Sequence, residues 1–382
     1  MPREMLQGVK DGFTIKACLQ RTALLHHKGM LTKNSIVCNT KWNFRRLFNF
    51  SDYSINKDFT RYFLFHNINL EQQTTRSLLS TNMTGILKVA LAGASGNLGP
   101  AILDQLLKAG YKVTVLTRQS STHDFPSSVT VKPVDYESLE SLTSALTGQD
   151  AVVSTLGSNV LDKQLLLVEA AAKAHVNRFI PSEFGSDTTR ENTGALPVFQ
   201  PKVAVQNALK KHVSSGLSYT LVVNGPFLDW GILVGFMMSA KGKSITLYDG
   251  GNRTFSTTTL PDIGRAVVGV LKHPEETKNR AVYVQSYATT LKDLAEIGKK
   301  ALGSEGWTEN VASVDDIVAG AWEELKKPQP NPDKFALQFI TASIWGEGYG
   351  SNFEAYHKLD NDLLGINQLT QNDMEELIKS LA

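Results

Sequence analysis

The stretch Leu87-Lys88-Val89-Ala90-Leu91-Ala92-Gly93-Ala94-Ser95-Gly96-Asn97-Leu98-Gly99-Pro100 limits what this chain can become more than any other. A short apolar run reads as a buried strand, glycines follow at every third position, and a segment with helical patterning comes next. Gly93 allows a sharp turn out of the strand, Gly96 lets a ligand approach the backbone, and Gly99 lets helix and sheet pack closely. Pro100 suits a first helical turn, whose N–H groups have no intrahelical acceptor. Strand, glycine turn and helix start present backbone N–H groups to the pyrophosphate of a dinucleotide. A glycine triplet alone is weak evidence, and its place at the head of further strand–helix units makes it specific.

Those units follow in order. Strands are expected at Val89–Leu91, Lys112–Thr117, Val129–Val134, Ala151–Ser154, Arg178–Ile180 and Tyr219–Val223, and helices at Asn97–Ala109, Glu137–Leu146, Asp162–Ala174 and Pro197–Val213. Alternation of this kind predicts an α/β fold, a doubly wound parallel Rossmann sheet covered on both faces. Gly110 and Gly148 stand where helices should end. After Gly225-Pro226-Phe227 the character changes, with strands at Ser244–Tyr248 and Ala281–Gln285, a helix from Pro261-Asp262-Ile263-Gly264, a helix at Leu291–Leu302 and helical segments to Leu381. The expected division is a basic leader over 1–82, an NAD(P)-binding Rossmann domain over 83–226, and a smaller C-terminal substrate lobe over 227–382 that completes the sheet and the cleft.

The leader differs from the rest in charge. Of the 382 residues, the first 82 carry 12 Lys/Arg against 5 Asp/Glu, and the remainder 27 against 32. The body therefore has no basic footprint for nucleic acid. Cys18 and Cys38 both lie in the leader, which excludes disulfides, thiolate catalysis and cysteine metal sites from the body. Neither a His-Glu-x-x-His nor a Gly-x-Ser-x-Gly arrangement occurs, so no metal site or serine nucleophile is expected. The most apolar stretch, Gly231 to Met238, is too short for a membrane span. A soluble, cytoplasmic protein is expected. Mitochondrial import through the basic leader is the weaker alternative, since Glu4 and Asp11 fall early and no amphipathic arginine helix is evident. The leader reads as disordered or as lying ahead of a natural start at Met83.

The end of the second strand selects the dinucleotide. An NAD site places Asp or Glu there to bind the ribose hydroxyls. This chain reads Thr117-Arg118-Gln119-Ser120-Ser121, with a cation and hydroxyls but no acid. Arg118 is either a solvated surface arginine or a bidentate clamp for the 2′-phosphate of NADP(H), and its position favours the clamp.

Gly93-Ala94-Ser95-Gly96-Asn97-Leu98-Gly99, then Gly148-Gln149-Asp150-Ala151-Val152-Val153-Ser154, then Arg178-Phe179-Ile180-Pro181-Ser182-Glu183-Phe184-Gly185 resembles the NmrA-like, isoflavone-reductase-like proteins, atypical relatives of the short-chain dehydrogenases. The likeness covers about residues 86–380. It implies an NADP(H)-dependent reductase of phenylpropanoid-like or other aromatic compounds; the residues expected to bind the cofactor are Gly93, Ser95, Gly96, Asn97, Leu98, Gly99 and Arg118, and the expected substrate is a small aromatic, enone or carbonyl compound. It also implies an essential acid/base lysine shortly after the Ser-Glu-Phe-Gly segment, which here is Lys202 in Phe199-Gln200-Pro201-Lys202. Some members of the family are instead regulators that sense the dinucleotide and bind a protein partner without reducing anything, and a homodimer is compatible with either reading.

Other short-chain dehydrogenases use Tyr-x-x-x-Lys. The one match, Tyr53 with Lys57, lies in the leader, ahead of the cofactor strand. Lys202, the lysine the resemblance implies, is the better candidate acid/base group, against the alternative of an ordinary exposed lysine at a helix start. Thr155, Leu156 and Gly157 leave the fourth strand where a nicotinamide ribose would pass, or simply form its exit. Glu183 and Phe184 follow the fifth strand and face the same cleft, where Glu183 either orients Lys202 or a substrate hydroxyl or serves as a helix cap or surface residue. Asn224, Phe227 and Trp230 follow the sixth and either line an aromatic substrate pocket or pack the core.

Overall fold

Four of the five side chains of β1 (Lys88–Ala92) are buried, and they point alternately into two different cores. That placement makes β1 an interior strand. The structure, a computed structural model, describes residues 86–382. The leader's charge, its cysteines, Tyr53, Lys57 and Met83 lie outside the described residues.

The remaining strands of the main sheet are β2 (Lys112–Arg118), β3 (Thr130–Val134), β4 (Ala151–Ser154), β5 (Arg178–Ile180), β6 (Ser218–Val223) and β7 (Arg280–Tyr283). Their spatial order is β3-β2-β1-β4-β5-β6-β7, and every pairing is parallel. The order reverses between β2 and β4 around β1, which is where a doubly wound sheet opens its ligand crevice. The expected fold class is the observed one.

Helices cover both faces. On one lie α1 (Gly99–Lys108) and the later α5 (Leu260–Lys272), contributing Ile102, Leu106, Ile263 and Val267 to a single core. On the other lie α2 (Leu139–Leu146), α3 (Lys163–Lys173) and α4 (Gln200–His212), with Leu142, Leu167 and Val205. Gly110 and Gly148 both take positive φ, as expected after a helix.

Several boundaries differ from the sequence reading by a residue or more, the following three among them. The first helix begins at Gly99 rather than Asn97, because Gly96 N donates to Gly93 O at 3.0 Å and keeps Asn97 and Leu98 within the turn. The helix expected over 197–213 is a 3₁₀ turn, Pro197–Phe199, followed by α4. The strand expected at 281–285 runs from Arg280 to Tyr283, and it pairs with β6 in the main sheet, with α5 as its crossover helix. Ser244–Tyr248 forms a separate small sheet, parallel to Thr308–Ala312 and antiparallel to Met238–Ser239. A third core gathers around Trp345, at the end of α8 (Pro332–Trp345), after α6 (Leu291–Leu302) and α7 (Val314–Leu325). Among the described residues, no helix is long and apolar enough to cross a membrane.

Candidate active site

Gly93 has φ +82°, and a Cβ there would stand 2.6 Å from the Thr155 carbonyl oxygen. A Cβ on Gly99 would strike the Gly93 carbonyl oxygen and the Ala94 backbone. Both positions are closed to larger residues by neighbouring main chain. Gly96 is different. Its nearest neighbour would be Gly93 O at 3.4 Å, and Ser95, Gly96 and Asn97 form an exposed stretch of backbone. Leu98 turns its side chain into the core, so only its main chain remains for a ligand.

Thr155 holds the turn from behind. Its hydroxyl lies 2.9 Å from the carbonyl oxygens of both Ala92 and Gly93, and its N–H donates to Ala92 O at 2.8 Å. The Leu156 carbonyl accepts from the Ser182 hydroxyl at 2.8 Å, and Gly157 is exposed and extended.

Arg118 ends β2, the strand paired with β1, and its side chain is exposed. Among the described residues its guanidinium has neither an ion pair nor a hydrogen-bond partner. Tyr136 is nearby, its hydroxyl 3.2 Å from Leu116 O. Burial pushes that phenol up to about 12, with the Arg118 charge acting in the opposite direction. An open glycine backbone and a guanidinium without a partner among the described residues, at the ends of adjacent strands, fit an anionic dinucleotide.

Lys202 stands in the first turn of α4. The residue is half-buried and its ammonium end is enclosed. Nζ donates to the Glu183 main-chain carbonyl and lies 5.6 Å from the Phe199 ring centroid. Burial holds its proton affinity below the ordinary lysine range, and the Glu183 charge partly opposes that effect.

The Glu183 carboxylate does not bond to Lys202. It is 2% exposed and accepts from the Thr188 hydroxyl at 2.6 Å and from Gln206 Nε2 at 3.1 Å. Gln206 Nε2 also lies 2.7 Å from the Thr188 hydroxyl oxygen. Phe184 packs in the core of the α1 face, and Phe227 packs against that core with Trp230 edge-on at 6.3 Å. Asn224 is fully buried, with Nδ2 donating to Gly225 O at 2.7 Å and Oδ1 without a partner among the described residues. Its N–H donates to Gly185 O at 3.3 Å, which joins the exit of β6 to the segment holding Lys202.

Thr188, Gln206, Asp187 and His357 were not singled out from sequence. The His357 ring lies 3.1 Å from the buried Asp187 carboxylate and stacks on Tyr283 at 3.7 Å, fastening a late segment to the loop after β5. Gln206 alone carried a faint signal, standing four residues after Lys202 on one helix face.

The NmrA-like family model matches residues 87–319. Oxidoreductase aprR of Aspergillus flavus is 34% identical over 302 residues, covering 77% of this chain and 98% of that protein. The chain belongs to the NmrA-like family. Phenylcoumaran benzylic ether reductase Pyrc5 of Pyrus communis is 28% identical over 235 residues, 56% of this chain and 75% of that relative. Among solved structures, AtPrR2 with NADP+ and (+)pinoresinol superposes with a TM-score of 0.62 at 23% identity, covering 78% of this chain and 99% of that one. Oxidoreductase, the enzyme class expected for this NmrA-like chain, is the class that the names of aprR and Pyrc5 carry.

Proposed function

We propose that this chain is an NADPH-dependent reductase of a small aromatic, enone or carbonyl compound in which Lys202 handles the proton. The observation that carries the reading is the enclosed Lys202 ammonium, held at a main-chain carbonyl beside the exit of β5. When bound, NADPH supplies the hydride.

The chain's own residues do the rest. The exposed backbone of Ser95, Gly96 and Asn97, with the Leu98 N–H, would hold the pyrophosphate at the start of α1. Arg118 would grip the 2′-phosphate with its planar fork. Leu156 and Gly157 would border the nicotinamide ribose. Enclosure disfavours the charged amine, so Lys202 exchanges a proton with a substrate oxygen or carbon more readily than an exposed lysine would. Phe227 and Trp230 would meet the substrate ring, with Asn224, Glu183 and Phe184 behind them. In this reading, residues 83–226 hold the dinucleotide and supply Lys202, and 227–382 complete the substrate side with Phe227 and Trp230. The reductase names of the relatives and the pinoresinol of the AtPrR2 complex support an aromatic substrate.

A screen of phenolics, quinones and enones following NADPH absorbance tests this, with Lys202→Ala as control. Turnover by the wild type and none by the variant is expected. Tight NADPH binding with no turnover across the screen would instead favour a dinucleotide-sensing regulator.

A further inference from the structure

Lys202 belongs to a closed ring of contacts. From α4 its side chain reaches the Glu183 carbonyl, the Glu183 side chain reaches Gln206, and Gln206 stands on α4 one turn beyond Lys202. Thr188 closes the ring internally, donating to Glu183 at 2.6 Å while lying 2.7 Å from Gln206 Nε2. All three partners are nearly inaccessible: Glu183 is 2% exposed, and Thr188 and Gln206 4% each.

Burying a carboxylate without a cation bonded to it is costly, and hydrogen bonds from neighbours offset that cost. Here two neutral donors do so. The ammonium is thereby left to the peptide oxygen, a neutral acceptor, while the carboxylate remains close enough to act on it through space. A direct ion pair would hold the lysine protonated. Turning the carboxylate away avoids that pairing and keeps the carbonyl that positions the amine fixed. Glu183 is the charged group acting on Lys202 among the described residues. The neighbouring Asp187 is engaged by Thr189 and His357.

We infer that Thr188 and Gln206 are positioning residues for Lys202, acting through the Glu183 carboxylate that they hold. The inference rests on Lys202 as the proton-handling group, so the test includes a readout independent of turnover. In protein labelled with ¹³C,¹⁵N-lysine, Lys202 is assigned by its loss in Lys202→Arg and titrated by NMR. In Glu183→Gln the Lys202 midpoint should move to lower pH, because enclosure is then unopposed. Thr188→Val should lower kcat about ten- to a hundredfold with the Kd for NADPH unchanged, and Thr188→Ser, which keeps the hydroxyl, should restore kcat. A wild-type midpoint in Glu183→Gln, or wild-type kcat in Thr188→Val, overturns the inference. Should Glu183→Gln not fold, the Thr188 pair decides. Should Lys202→Ala retain turnover, the reductase mechanism fails, and the NMR midpoint alone judges the positioning role.

Discussion

Gly264 of α5 approaches Ala101 of α1 so closely that a Cβ on the glycine would stand 2.8 Å from the Ala101 carbonyl oxygen. The helix that the glycine turn opens is thus packed backbone to backbone against one arriving about 160 residues later in the chain. Gln105 lies on the same contact, at 2.7 Å from that position, but its side chain can move and the carbonyl cannot. Replacing Gly264 with Val should cost about 1–3 kcal/mol through overpacking. Denaturant unfolding of the wild type and the Gly264→Val variant would measure it, and a wild-type midpoint would show that the helices separate freely.

Arg118 decides between the two dinucleotides in the proposed reading. Wild-type protein should bind NADPH more tightly than NADH, and Arg118→Ala should narrow the gap by about 1.5–3 kcal/mol, the worth of hydrogen bonds to a charged group. Titration calorimetry with both cofactors checks this. Equal affinities in the wild type would remove the arginine from cofactor choice.

Lys202 should give turnover a pH limb. Burial lowers its proton affinity from the ordinary lysine range, so the limb should fall below the pH of an exposed lysine. If the neutral amine is the base, kcat rises with pH through that limb. Lys202→Arg keeps a positive charge that cannot be shed, and should lose about 10²–10⁴ in kcat while still binding NADPH. Steady-state rates across pH, paired with a binding measurement, are the check.

Glu324 ties the end of α7 to the start of α8. Its carboxylate, 5% exposed, bonds Lys327 at 2.7 Å, Lys334 at 3.1 Å and the Asn331 N–H at 3.2 Å. These contacts, led by Lys327, pull its pKa down to about 2 from an ordinary 4.5. A depressed carboxylate stabilises the fold above its unfolded value, and that contribution disappears as pH falls toward the folded value. Glu324→Gln should therefore be less stable than wild type at neutral pH, with the difference closing between about pH 4.5 and 2. Thermal melts of both proteins across that range would reveal a constant difference if the ion cluster contributes nothing.

Much of the sheet was legible because its information is local. β1, β2, β4 and β5 are short apolar runs between glycines and amphipathic helices, and such runs have few other ways to hide. The glycine turn was legible for the same reason. Strand β7 was read at nearly its true position, but its membership of the main sheet depends on pairing with β6, nearly 60 residues away. Local patterning carries no information about that partner.

The site divides along the same line. Sequence by itself determined where a dinucleotide backbone site could form, since Gly93 and Gly99 are needed by contacts within one turn and its neighbouring strand exit. It also put a lysine at the head of α4. Only the tertiary structure decided what that lysine meets: the peptide oxygen of Glu183 rather than its carboxylate, which Thr188 and Gln206 hold instead. The physical reason is that a buried charge settles on whichever partners the packed segments bring within hydrogen-bond reach, and those segments converge only once the sheet has formed.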